Sequence, residues 1–134
     1  MKKKLLFLCT GNSCRSQMAE GFARIKLSKI FRIYSAGVEA HGLNPKAVSV
    51  MHEIGINISN QQSKSISNDE LFQYDIIITL CGDARDRCPA LIGEQHNIHW
   101  GLKDPAKATG TNKEIMDTYR NVRDQISSNI DSLL

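Results

Sequence analysis

The segment Asp75 to Leu80, Asp-Ile-Ile-Ile-Thr-Leu, constrains the fold more than any other. It is the most apolar β-branched run of the chain, so it predicts a central strand covered on both faces, as in a parallel sheet. Lys3 to Leu8 reads as a second buried strand, while Arg32 to Ser35, closed by Ala36-Gly37, and Asn97 to Trp100 read as shorter ones. Helical spacing fills the intervals. Ser16 to Leu27 carries Met18, Ala19, Phe22, Ala23 and Ile25 near one side. Asn44-Pro45 opens a second helix with Ala47, Val48, Met51 and Ile54, stopped by Gly55. Asn68 or Asp69 caps a short helix running to Gln73. Lys113 to Ser132 keeps Ile115, Met116, Tyr119, Val122, Ile126, Ile130 and, just beyond, Leu133 on one face. The serine-rich stretch Ile56 to Ser67 reads as a surface loop, and Gly82 to Gly93 as irregular. The alternation predicts an α/β fold with a central four-stranded parallel sheet and helices on both faces, residues 1–134 forming one domain.

The chain has 134 residues, 41% of them hydrophobic and 23% charged, enough for one shared core and too apolar for a disordered chain. A net charge of +3 with no basic stripe points away from nucleic acid. The apolar run Leu5 to Leu8 is too short for a signal peptide, and nothing approaches a membrane span. The expectation is a cytoplasmic monomer. In that reducing compartment the four cysteines call for chemistry rather than a disulfide scaffold. They fall in pairs, Cys9 with Cys14 and Cys81 with Cys88, whose spacings do not match structural zinc sites.

The loop Cys9-Thr10-Gly11-Asn12-Ser13-Cys14-Arg15-Ser16 lies directly after a predicted strand and before a predicted helix. A turn there can aim successive backbone N–H groups inward as a nest for a tetrahedral oxyanion, and the positive end of the helix adds to the attraction. Arg15 can grip two oxygens bidentately. The same field favours a nucleophilic sulfur on Cys9, to which Ser16 can donate a hydrogen bond. Asn12 holds the loop's shape through its amide, and Cys14 reads as a packed thiol. A nucleotide P-loop is excluded, since no G-x4-G-K-[ST] is present.

With its near-N-terminal C-x5-R-S loop, the sequence resembles the low-molecular-weight protein tyrosine phosphatases, and more closely their relatives, the thioredoxin-coupled arsenate reductases. The resemblance runs through Cys9 to Glu20, Tyr34 to Lys46, Thr79 to Pro89, His99-Trp100-Gly101 and Asp104-Pro105. It implies a phosphatase-like fold and the reduction of arsenate without a resident cofactor. Cys9 would attack arsenic held by Thr10 to Ser16, and Asp104 would protonate the departing oxygen. A disulfide would then pass from Cys9–Cys81 to Cys81–Cys88 and be reduced by thioredoxin. Glutaredoxin is the other donor to consider. A phosphatase would use Cys9, Arg15 and Asp104 alike, but Ala106 to Gly110 offers no aromatic wall for a phenyl ring. A non-enzymatic thiol sensor would need a regulated partner or DNA-binding element, and neither is found.

Some reductases of this family hold potassium with an asparagine, a glutamate, a serine and an aspartate. Asn12, Glu20 and Ser35 match three positions, while the fourth falls on Lys64. No metal is therefore expected. The Lys64 ammonium either takes the ion's place against Glu20 or points to solvent. His41 reads as structural or surface-exposed, and His99 and Trp100 as packing beside the Asp104 loop.

Overall fold

The computed structural model describes residues 2–81 and 96–134. Four strands, β1 (Lys3–Cys9), β2 (Phe31–Gly37), β3 (Ile76–Cys81) and β4 (His96–Leu102), form one parallel sheet in the order β2-β1-β3-β4. The two apolar runs are therefore the two inner strands, as their unbroken hydrophobicity requires. Among the described residues three α-helices accompany them, α1 (Arg15–Lys26), α2 (Pro45–His52) and α3 (Asn112–Asp131). All three contribute to the larger core, where Leu5, Phe7, Ile78 and Leu80 from the sheet meet Met18, Phe22, Met51, Val122 and Ile126. On the opposite face Leu6, Leu8 and Ile77 pack with Leu71 and Tyr74, around the 3-10 turn Asp69–Gln73. Helical elements thus cover both faces, α-helical on one and 3-10 on the other.

Local chemistry sets the helix ends. The Asn44 side chain accepts from the backbone N–H groups of Lys46 and Ala47, with Pro45 at the first helical position. Thr111 and Glu114 form a capping box that starts α3. Tight packing sets the place of α1, since a Cβ on Gly21 would come within 2.6 Å of Ile58.

Three expectations are corrected. Ile25 is 64% exposed and lies off the packed side of α1. The second helix ends at His52, which leaves Ile54 beyond it and exposed. The stretch Ile56 to Ser67 is not simply a surface loop, because Ile58 is fully buried and Ser65 bridges in parallel to Gly37. Its polar composition conceals these ties because most run through the backbone.

Candidate active site

The site lies at the carboxyl edge of the sheet, where ligands gather in parallel α/β folds. Cys9 closes β1, and the loop Thr10 to Cys14 leads straight into α1 at Arg15. Each loop carbonyl is engaged on the outer side. Those of Cys9, Thr10, Gly11 and Ser13 accept from the N–H groups of Val38, Glu39, His41 and Asn44 at 3.3, 2.9, 2.9 and 3.0 Å. The Asn12 carbonyl accepts from Gln17 Nε2 at 3.0 Å, and that of Cys14 from the Met18 N–H at 2.9 Å. In a trans peptide the N–H points opposite to the C=O, so this turns the N–H groups of Thr10 to Arg15 toward the concave side. A cavity of about 270 Å³ occupies that side, lined by Cys9, Thr10, Gly11, Ser13, Cys14, Arg15, His41, Asp104, Ala106 and Lys107.

Asn12 holds the loop's shape. Its φ of +46° lies in the left-handed region, which asparagine tolerates better than most residues. Its fully buried amide donates to Ser16 Oγ at 2.8 Å and Ser35 Oγ at 3.0 Å. Its Oδ1 accepts from the Lys64 N–H at 2.8 Å and Gln17 Nε2 at 3.1 Å. Gly37 must be glycine here, since a Cβ would come within 2.7 Å of both Asn12 N and Thr10 O.

Cys9 Sγ lies 2.9 Å from Ser16 Oγ. Cys14, five residues on, is buried, and burial pushes its thiol well above the usual range, with the Asp104 and Cys9 charges adding to the effect. The loop therefore holds Cys14 as a protonated packed thiol beside Cys9. Arg15 is buried and donates through Nη1 to the carbonyls of Leu80 and Leu102 at 3.2 and 3.0 Å. Its Nη2 lies 3.7 Å from Asp104 Oδ2. The other Asp104 oxygen caps the 3-10 turn Pro105–Lys107 by accepting from the Ala106 N–H at 3.0 Å. A register shift lets Cys81 pair with Leu102 although Thr79 pairs with His99, so β4 carries one extra residue there. The Leu102 carbonyl that binds Arg15 comes just after that bulge.

The structure thus gathers Cys9 to Ser16 and Asp104 around one pocket. The backbone of Cys81 ends β3, beside and parallel to β1, so it lies at the same edge as Cys9. Cys88 falls outside the described residues, as does the stretch from Gly82 to Gly93. His99 Nδ1 lies 2.6 Å from Thr79 Oγ1, and the Trp100 ring lies against Phe7.

The potassium positions are arranged differently from a metal site. Ser35 Oγ donates to Glu20 Oε1, Arg24 Nε lies 2.8 Å from Glu20 Oε2, and Asn12 Oδ1 accepts from the Lys64 backbone and the Gln17 side chain. The Lys64 ammonium donates instead to the Gln62 carbonyl at 2.7 Å and is exposed. The cation on buried Glu20 is therefore Arg24, not Lys64. The Glu20 carboxylate thus already holds a protein cation on one oxygen and a hydroxyl on the other, and position 64 adds a lysine rather than a carboxylate to the set. Among the described residues no cluster of three or more His, Cys, Asp or Glu could hold a metal.

Sequence reasoning missed Lys107 and Ala106 as pocket residues, and Gln17 and Arg24 as supports. It also set His41 aside, although His41 lines the cavity. The available signal was position, since Lys107 follows Asp104-Pro105 closely and His41 precedes a glycine with φ of +87°.

Residues 4–134 match the family model of the low molecular weight phosphotyrosine protein phosphatases. The arsenate reductase of Halalkalibacterium halodurans is 53% identical over 129 residues, 96% of this chain and 93% of that one. A solved arsenate reductase in its phosphate-binding state superposes with a TM-score of 0.80 at 36% identity, over 99% of this chain and 96% of that one. A thioredoxin-dependent arsenate reductase of Corynebacterium glutamicum gives 0.65 at 26% identity, over 99% of this chain and 64% of that longer one.

Proposed function

The chain belongs to the low-molecular-weight phosphotyrosine protein phosphatase family, and we propose that, like the arsenate reductases it resembles along nearly its whole length, it reduces arsenate to arsenite. The observation that carries this reading is the pocket itself. Inward N–H groups and Arg15 surround a cysteine sulfur, with the Asp104 carboxyl beside the guanidinium and a second cysteine backbone at the same sheet edge.

The roles follow from that arrangement. The nest and Arg15 neutralise the tetrahedral anion. The Cys9 sulfur attacks arsenic, and Asp104 gives its proton to the departing oxygen, which leaves as water. Cys81 then attacks the Cys9 sulfur. The S–As bond breaks with its electron pair going to arsenic, which leaves as arsenite, and a Cys9–Cys81 disulfide remains. Cys88 attacks Cys81, releasing the Cys9 thiol and forming Cys81–Cys88. Thioredoxin supplies the two electrons that restore both thiols. The chain works as one domain and a monomer in the cytoplasm, where thioredoxin is kept reduced. Among the described residues no helix is long and apolar enough to cross a membrane.

The test is arsenate-dependent NADPH oxidation with thioredoxin and thioredoxin reductase, for the wild type, Cys81→Ser and Cys88→Ser. Turnover should vanish in both variants. If neither the wild type nor the variants consume NADPH while all hydrolyse an aryl phosphate briskly, the pocket serves phosphate-ester hydrolysis instead.

A further inference from the structure

Backbone groups fasten the oxyanion loop at every carbonyl but one. Those of Cys9, Thr10, Gly11, Ser13 and Cys14 each accept from a backbone N–H, a group that only proline would remove. The Asn12 carbonyl accepts instead from a side chain, Gln17 Nε2 at 3.0 Å. Gln17 is fully buried on α1, and its amide is itself held. Its Nε2 also reaches Asn12 Oδ1 at 3.1 Å and the Gln62 carbonyl at 2.9 Å, while its Oε1 accepts from Gln61 Nε2 at 2.8 Å. Gln61 Nε2 donates to the Gln17 carbonyl as well, at 3.0 Å. With a donor on its oxygen the Gln17 amide keeps one orientation, its hydrogens aimed at Asn12.

We propose that Gln17 is a positioning residue that keeps the Ser13 N–H aimed at a bound oxyanion, and that Gln61, which does not line the pocket, orients Gln17 in turn. The Asn12 carbonyl and the Ser13 N–H belong to one planar trans peptide. Holding the carbonyl outward therefore aims the N–H into the cavity that Ser13 lines. The adjoining peptides are pinned by the backbone bonds at the Gly11 and Ser13 carbonyls. Releasing the Asn12 carbonyl thus frees a single peptide to rotate between the Asn12 and Ser13 Cα atoms. An outward Ser13 N–H would withdraw one charge-assisted hydrogen bond from a tetrahedral anion and turn a carbonyl oxygen toward it instead. This inference rests on the pocket being the oxyanion site.

Inorganic phosphate titrated into isotopically labelled protein reads each loop amide separately by NMR. In the wild type Ser13 should respond together with the other loop amides. Gln17→Leu should lose the Ser13 response while Thr10, Gly11 and Arg15 keep theirs, and phosphate should bind about tenfold more weakly, as for one lost hydrogen bond to a charged group. Gln61→Glu, at a half-buried position, replaces a donor by an acceptor. Gln17 must then turn its amide hydrogens toward the new carboxylate and its oxygen toward Asn12, so the Ser13 response should be lost here too. Gln61→Ala removes the donor without supplying an acceptor, and should bind phosphate more tightly than Gln61→Glu. An equal loss at every loop amide in Gln17→Leu, or binding by Gln61→Glu as tight as by Gln61→Ala, would overturn the proposal. If no loop amide of the wild type responds to phosphate, the pocket is not the oxyanion site and both readings fail. If Ser13 responds alike in the wild type and Gln17→Leu, only the role of Gln17 fails.

Discussion

Asn12 couples the loop to everything that supports it, because its amide serves Ser16 and Ser35 while its oxygen serves Gln17 and Lys64. Alanine there would strand several buried groups, at ~1–3 kcal/mol each when unrelieved, and would also meet ~1–2 kcal/mol of left-handed strain. Asn12→Ala is therefore expected to lose about 3 kcal/mol or more by urea denaturation, and to lose phosphate binding with it. A loss under about 1 kcal/mol would mean that the amide is not the loop's fastening. Glu20 gives a second expectation at this scale. With Arg24 on its carboxylate and Ser35 on the other oxygen, exchanging sodium for potassium at fixed ionic strength should change neither activity nor thermal stability. A several-fold potassium activation would show that the Arg24 contact yields to the ion.

At the scale of elements, the caps join helices to the site. Asn44 starts α2, donates its N–H to the loop at Ser13, and donates its side-chain amide to the Tyr119 hydroxyl of α3 at 3.0 Å. Asn44→Ala should cost about 1 kcal/mol from the cap alone, and more if the Tyr119 hydroxyl loses its partner. Thr111→Ala, at an exposed capping box whose hydrogen bonds run between Thr111 and Glu114, should cost a similar amount while leaving arsenate KM unchanged. Equal changes in KM for both variants would separate α2 from the loop. This difference also explains what was readable from the sequence. Strands, the Asn44-Pro45 start and the Cys9 to Ser16 loop are local patterns, encoded by unbroken apolar runs, a capping residue and a fixed spacing. The supports are not local. Lys64 meets Asn12 through a backbone N–H, which any residue possesses. His41 belongs to the pocket because Gly11 leaves room for its ring, and Arg24 replaces Lys64 on Glu20 because one helical turn brings it there. Such relations depend on which segments meet, and composition along the chain does not reveal that.

At the scale of the whole molecule, burial makes the fold sensitive to alkali. The Cys14 thiol lies among core residues and is pushed up from its ordinary value of 9.0, chiefly by burial. The phenols of Tyr119 and Tyr74 are likewise raised from 10.0, again first by burial. A group raised in the folded state keeps its proton where the unfolded chain has already released it. Its contribution is complete below the unfolded value and fades as pH rises from there toward the folded one. Stability should hold steady below pH 9 as far as these groups are concerned, then fall, with each such proton contributing a slope of about 1.4 kcal/mol per pH unit. Replacing Cys14 by alanine removes one of these protons. It opens a small cavity that shifts the whole curve by a pH-independent amount, but the fall between pH 9 and the tyrosine range should become shallower by that one-proton slope. Urea unfolding at half-unit steps from pH 7 to 11 reads both effects in one series. Parallel curves for the wild type and Cys14→Ala would mean that the thiol ionises as readily in the fold as outside it. That result would remove the grounds for treating Cys14 as a protonated spectator beside Cys9, and would return it to consideration as a second reactive sulfur in the oxyanion loop.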